Sequence, residues 1–236
     1  MSKYKAIFFD LDGTLLPMDI NEFTKGYFGD LCKKLADYGV AAQDMVNTIW
    51  KGVGAMVAND GSRKNVEAFW EKFYELLPNV DESIEAACEE FYANEFKESK
   101  RFTQDNPRAK EILDIARKKA DIVVLATNPQ FPMAGHRTRL SFIGLTPEDF
   151  DLVTSYESDC FCKPNHRYFE TICERIGVEP SECLMIGNDE HEDMYAGTKA
   201  GLDCFLVTDT MIPSNEHPWN GAKGNMNELI EYLSAL

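Results

Sequence analysis

The feature that most constrains this chain is an abrupt change of texture near residue 106. Before it, one apolar burst at Lys5–Phe9 stops at Asp10 and is followed, from about residue 20 to 100, by helical spacing alone. Val66, Phe69, Trp70, Phe73, Leu76 and Leu77 fall on one helix face, as do Ile84, Ala87, Cys88 and Phe91, and Tyr27, Phe28, Leu31, Cys32 and Leu35. That block reads as about four helices. After Asn106-Pro107, a helix-starting pair, short apolar bursts alternate with helical stretches. Residues 121–127, 151–154, 183–187 and 203–207 read as strands, and residues 107–119, 132–143, 165–177, 190–200 and 225–235 as helices. Such alternation implies α/β architecture, a parallel sheet with helices on both faces. The burst near residue 7 most simply joins that sheet. The expected organisation is an α/β core from 1–15 and 101–236, with an all-helical unit, 16–100, inserted after the first strand.

Charge narrows the partners. The 236 residues carry 24 Lys and Arg against 40 Asp and Glu, a formal charge of −16. A field of that sign disfavours nucleic-acid backbones and anionic membranes as partners. A small anionic substrate stays possible, because a local pocket can oppose the global field. The longest apolar runs, such as Ile122–Ala126, fall far short of the roughly 20 residues of a membrane span. The apolar run Ala6–Phe9 is also too short for a signal-peptide core. Seven cysteines, odd in number and without paired CxxC motifs, read as reduced structural thiols of a cytoplasmic protein. Cys160 and Cys162 lack the second pair that a metal finger needs.

Ligands of such sheets bind beyond the carboxyl ends of the strands. The residues expected there are Asp10 and Asp12, Thr127 and Asn128, and Asn188 and Asp189, with Lys163 ahead of another helix. Taken singly, each has a plain alternative. Asp10-x-Asp12 is an acidic turn, Thr127 a helix cap, Lys163 a solvated cation, and the cluster from Asp189 to Asp193 an anion-favouring helix start.

The strings around these residues are more specific. Phe8-Phe9-Asp10-Leu11-Asp12-Gly13-Thr14-Leu15 resembles the first motif of the haloacid dehalogenase-like superfamily. Val123-Val124-Leu125-Ala126-Thr127-Asn128 resembles the second, Lys163-Pro164 the third, and Leu184-Met185-Ile186-Gly187-Asn188-Asp189 through Asp193 the fourth. The four stand in the family's order over residues 5–15 and 107–210, and the helical insert is similar in place and type to the family's C1 cap.

The resemblance implies a Rossmann-like core and a Mg²⁺-dependent phosphatase acting on a small phosphorylated metabolite. In it Asp10 is the nucleophile that becomes an aspartyl phosphate, and Asp12 the general acid and base. Lys163 pairs with the nucleophile and phosphate, while Thr127 and Asn128 hold phosphoryl oxygens. The metal ligands it implies are Asp10, the Asp12 carbonyl, and Asn188 or Asp189, with Asp193 one helical turn further on. Asn188 departs from the Asp that many members carry there, which leaves the third ligand open between 188 and 189.

A haloacid dehalogenase has no use for an acid at position 12. A sugar phosphomutase would keep the whole site. A phospho-accepting signalling domain or a non-catalytic phosphate binder completes the alternatives. The insert is expected to govern selectivity, with Lys51, Arg63 and Lys64 as its cationic candidates against a plain solvated reading. His136, Arg137 and Arg139 face substrate or water. Oligomeric state is not legible.

Overall fold

A computed structural model describes residues 3–236. Six parallel strands form one sheet in the order β3-β2-β1-β4-β5-β6. They are β1 (Ala6–Phe9), β2 (Ile122–Leu125), β3 (Leu152–Val153), β4 (Cys183–Gly187), β5 (Asp203–Val207) and β6 (Lys223–Gly224). The two-residue β6 was not foreseen, since Lys223-Gly224 carries no apolar signal. β1 is central: Phe8 aligns with Val124 on one side and Met185 on the other. A strand buried on both faces needs a continuous apolar run, and Ala-Ile-Phe-Phe supplies it.

Side-chain alternation divides the core between the two faces. Ile7, Phe9, Val123, Leu125, Leu184 and Ile186 pack with α5 (Ala109–Lys119) and α9 (Met226–Ala235). Phe8, Val124, Met185 and Leu206 pack on the other face with Tyr168, Phe169 and Ile172 of α7 (Arg167–Ile176). The remaining core helices are α6 (Met133–Ser141) and α8 (Ala196–Ala200), the latter entered through a π-type turn at Glu190–Tyr195. The stretch expected as one helix, 190–200, is thus two pieces. All seven cysteines are free thiols, and no described helix is long and apolar enough to cross a membrane.

Between β1 and α5 run α1 (Ile20–Lys34), α2 (Ala42–Val57), α3 (Asn65–Leu76) and α4 (Ser83–Ala93), then 3-10 turns over Glu95–Phe102. Asp19 starts α1 by accepting the N–H groups of Asn21 and Glu22 at 2.9 and 3.0 Å, a common cap. Phe96 ties this insert to the core. Its ring lies within 6.0 Å of Phe23, Tyr27, Phe91 and Tyr92 of the insert, and of Phe131 just before α6. Such aromatic pairs add to simple area burial.

From β1 the chain builds β2 and β3 to one side, then crosses to β4 on the other. The switch point lies between β1 and β4, where open α/β sheets bind ligands. Asp10 follows β1 and Asn188 follows β4.

Phe96→Ala is expected to lower unfolding free energy by about 3–5 kcal/mol, the usual cost of emptying a buried aromatic site. Urea unfolding measures it. A loss below about 1 kcal/mol would mean that the ring cluster does not hold the insert.

Candidate active site

Asp10 is fixed at the strand mouth by its own N–H, which donates to Ile186 O at 2.9 Å. Lys163, itself buried, donates to Asp10 Oδ1 at 2.9 Å and to Asp193 Oδ1 at 2.6 Å. Burial pushes the Asp10 carboxyl up, to about 7; Lys163 pulls it down, and Asp193 and Asp12 push it further up. Burial opposes charge on Lys163 too, but Asp10 and Asp193 outweigh it and hold the ammonium well above its ordinary value. Asp193 is anchored in turn: its Oδ2 accepts the N–H groups of Asn188 and Asp189, both at 3.1 Å. That approach requires glycine at 187, where any Cβ would strike the Asp193 carboxylate.

Gly13 has φ +84°, and a Cβ there would run into the Asn188 amide. The left-handed turn and this close approach bring Thr14 beneath the site. Its hydroxyl lies 3.3 Å from Asp10 Oδ2 and 3.2 Å from Asn188 Oδ1. One hydroxyl hydrogen cannot serve both acceptors at once. Thr14 stood within the first motif without a role, and sequence spacing gives no hint of a contact to residue 188.

Arg139 is wholly buried on α6. Its guanidinium donates to Asp12 Oδ2 and to His136 Nδ1, the latter at 2.7 Å, and it stacks 4.0 Å over the Phe131 ring. To accept that bond, His136 must be unprotonated at Nδ1. Burial first, then Arg139, holds its pKa well below the ordinary histidine value. The other oxygen, Asp12 Oδ1, is buried and has no hydrogen-bond partner. Of the three residues expected to face substrate or water, only Arg137 is solvated, paired with Glu148 at 2.8 Å.

Thr127 and Asn128 line the same cavity as Asp10, Asp12, Asn188, Asp189 and Asp193. The Thr127 carbonyl is held by Thr154 Oγ1 at 2.7 Å and Tyr168 OH at 2.8 Å. Asn128 Nδ2 donates to Glu192 Oε2 at 2.8 Å and to the Lys163 carbonyl at 3.3 Å. Glu192, unassigned from sequence, faces the cavity, and burial raises its carboxyl to about 8. Three cationic candidates lie elsewhere. Arg63 pairs with Glu71, Lys64 reaches the Ser158 carbonyl, and Lys51 lies in a separate depression beside Leu76. His191 and His217, without a partner from spacing, stack at 5.0 Å, and Tyr195 stacks on His217 at 3.7 Å.

The expected metal set is only partly assembled. Both Asp193 oxygens are engaged, so this carboxylate braces Lys163 and the backbone instead of offering a free ligand. Asp189 Oδ1 caps the following turn, accepting His191 and Glu192 N–H at 2.7 and 2.8 Å. Among the described residues no three His, Cys, Asp or Glu side chains gather at metal-holding spacing. What does converge is an all-oxygen cradle of Asp10 Oδ2, Asn188 Oδ1 and Thr14 Oγ1, with the two acceptors short of a hydrogen. Hard oxygen donors of this kind fit Mg²⁺ and not a soft metal.

The sequence model of the haloacid dehalogenase-like hydrolases matches residues 4–201. The chain belongs to that family. A curated relative, the glyceraldehyde 3-phosphate phosphatase of Methanothermobacter thermautotrophicus, is 40% identical over 58 residues, 25% of this hydrolase and 26% of the relative's length. The chain therefore spans about a quarter of that relative. Among solved structures, a HAD phosphatase from Thermococcus onnurineus superposes with TM-score 0.60 at 20% identity, covering 97% of both chains. A 2-haloacid dehalogenase from Pseudomonas syringae superposes with TM-score 0.63, also at 20% identity, covering 98% of this chain and 99% of that one. At such identity the likeness is one of fold, and it spans both chemistries.

Removing Arg139 strands a carboxylate that keeps only partial access to water. Arg139→Met is expected to cost about 3 kcal/mol, the low end for a broken buried pair. A urea-unfolding cycle with Asp12→Ala should give a coupling of at least about 1 kcal/mol. Zero coupling would show that the two side chains do not stabilise each other.

Proposed function

We propose that this hydrolase is a Mg²⁺-dependent phosphatase that cleaves a small phosphorylated metabolite through an aspartyl-phosphate intermediate. The observation that carries the reading is the pair of carboxylates at the switch point, each held by its own buried cation. Lys163 fixes Asp10, and Arg139 fixes Asp12 two residues on. A haloacid dehalogenase needs the first carboxylate only, so the trouble taken over Asp12 supports phosphoester chemistry. The partial match to a phosphatase of a three-carbon phosphate agrees with it.

In this mechanism Asp10 attacks phosphorus and the bond to the alcohol oxygen breaks, leaving the phosphoryl group on Asp10. Asp12, once protonated from solvent, gives that proton to the departing oxygen, then takes one from the water that attacks phosphorus. Phosphate leaves and both carboxylates return to their starting states. Lys163 and the Thr127 hydroxyl hold phosphoryl oxygens, with Asn128 orienting the loop through Lys163 and Glu192. Positioned charge of this kind supplies most of the catalysis in phosphoryl transfer. Mg²⁺ would be held by Asp10, the Asp12 carbonyl and Asn188, and when bound supplies positive charge for the phosphoryl oxygens. Asn188 is preferred to Asp189 as third ligand because its oxygen already shares Thr14 with Asp10. We further assign residues 16–100 as a cap. Ile20, Tyr27, Phe28, Trp50 and Val53 from α1 and α2 line the cavity along with Asp10.

Asp10→Asn should retain less than about a thousandth of wild-type turnover of a generic phosphate ester, roughly 4 kcal/mol of barrier, while still unfolding in one cooperative transition at a shifted midpoint. Retained activity would rule out the covalent route. Acid-quenched wild-type enzyme should carry phosphate labile to hydroxylamine.

Magnesium titration separates the two candidate ligands. Asn188→Asp adds an anion to the cradle, and is expected to lower the Mg²⁺ for half-activity about ten-fold, or 1.4 kcal/mol. Asp189→Ala should change it by less than about three-fold, because its carboxylate caps a turn. The reverse order would move the ligand to Asp189.

A further inference from the structure

The cavity at the switch point has a volume of about 310 Å³. This is the small end of ligand sites, roughly 300–1,000 Å³, and suits one ring-sized group beside a phosphoryl group better than a nucleotide. Its floor is acidic and its opposite wall is not. Ile20, Tyr27, Phe28, Trp50 and Val53 of α1 and α2, with Phe131 from the core, form an apolar and largely aromatic wall. The Phe28 and Trp50 rings lie 5.3 Å apart and tilted at 53°. Trp50 is 50% exposed and borders both this cavity and the adjoining outer groove.

No lysine or arginine among the described residues lines this cavity. Lys163 is committed to Asp10 and Asp193, and Arg139 to Asp12 and His136 behind the Phe131 ring. Lys25 and Lys33 line the adjoining outer groove, on the far side of Ile20, Thr24, Phe28 and Trp50, which border both, and neither lysine reaches the cavity lining. A second phosphate or a carboxylate on the substrate would meet no counter-charge here. It would instead face the Asp189 carboxylate.

We propose that the substrate is the phosphate monoester of a compact, uncharged alcohol with an aromatic or aliphatic body, seated against Phe28, Trp50 and Phe131. The inference rests on the phosphoester reading of Asp10 and deepens it. It excludes carboxylated phosphoesters and sugar bisphosphates, and with the latter the phosphomutase alternative. Affinity for such a body comes from covering the aromatic wall, which a charged group would leave uncovered.

Binding of non-hydrolysable phosphonates to the full chain in Mg²⁺, followed by titration calorimetry, tests this without turnover. Benzylphosphonate is expected to bind at least ten-fold tighter than methylphosphonate, and 3-phosphonopropionate no tighter than methylphosphonate. Trp50→Ala, at a half-exposed position, should bring benzylphosphonate to within three-fold of methylphosphonate. Thr24→Arg, which places a cation on the wall, should tighten 3-phosphonopropionate at least ten-fold. Tighter wild-type binding of 3-phosphonopropionate than of benzylphosphonate, or an unchanged benzyl preference in Trp50→Ala, overturns the proposal. If none of the three binds, this proposal and the phosphate-site reading fall together. Turnover of benzyl phosphate, assayed in parallel, isolates the hydrolase reading: absent turnover with the expected order of binding removes hydrolysis and leaves the recognition standing.

Discussion

One buried ammonium organises the site. Lys163 bridges Asp10 and Asp193, which arrive from β1 and from the turn after β4. Two buried carboxylates facing each other without it would repel and lose solvation together, and breaking a buried pair costs about 3–5 kcal/mol. Everything nearby follows from keeping this triad. Asp193 must reach back over the end of β4, so position 187 can carry no Cβ. The same carboxylate takes the Asn188 and Asp189 N–H groups, which sets the direction in which Asn188 presents its amide. Gly13 lets Thr14 meet that amide from below. The ion triad thus fixes both the strand end that carries Asp10 and the oxygen cradle beside it.

A second cation performs a parallel task for Asp12, and the two differ in how visible they are. Lys163 was legible because it lies in a recognisable string, in order between two strands. Asp10, Asp12, Thr127 and Asn188 were legible for the same reason: strand ends in an alternating chain must converge, whatever the helices between them do. Arg139 was not. It lies on a helix whose apolar periodicity is weak, and its partner is 127 residues away. Nothing local distinguishes it from Arg137, two residues earlier, which is solvated. Thr14 and Glu192 were inside the quoted motifs, yet their partners at 188 and 128 depend on loop paths that spacing does not specify.

The same limit explains why the cationic candidates of the insert could not be placed from sequence, where the solvated reading set beside them fits the exposed Lys51, Arg63 and Lys64. Helical periodicity correctly separated an apolar face from a polar one, and about four helices were expected where four are found. The bundle is docked by contacts that periodicity does not single out: Phe96 meets Phe131, and at the start of α3 Lys64 reaches the Ser158 carbonyl while Asn65 Nδ2 donates to the Pro129 carbonyl. The α1–α2 side lines the cavity with Asp10, while Arg63 pairs with Glu71 and Lys51 is exposed. β6 was missed for a simpler reason: an edge strand of two residues needs backbone pairing to Leu206 and Val207 but no apolar side chains of its own.

A site this acidic, in a chain of net charge −16, sets a problem for any phosphorylated ligand. Long-range attraction is absent, so the field of the whole protein slows encounter instead of steering it. Lys163 cannot compensate alone, because its charge is already shared by two carboxylates. Two sources of binding free energy remain. On the proposed reading, a hard cation in the oxygen cradle would reverse the local field where the phosphoryl group sits. The aromatic wall contributes through apolar burial, which does not depend on charge and is not weakened by salt screening. The division between an acidic floor and an uncharged wall is therefore one solution to one constraint. On the proposed reading the floor stays anionic to hold the cation, which would leave the part of the ligand beyond phosphorus to be recognised by its shape and apolar surface.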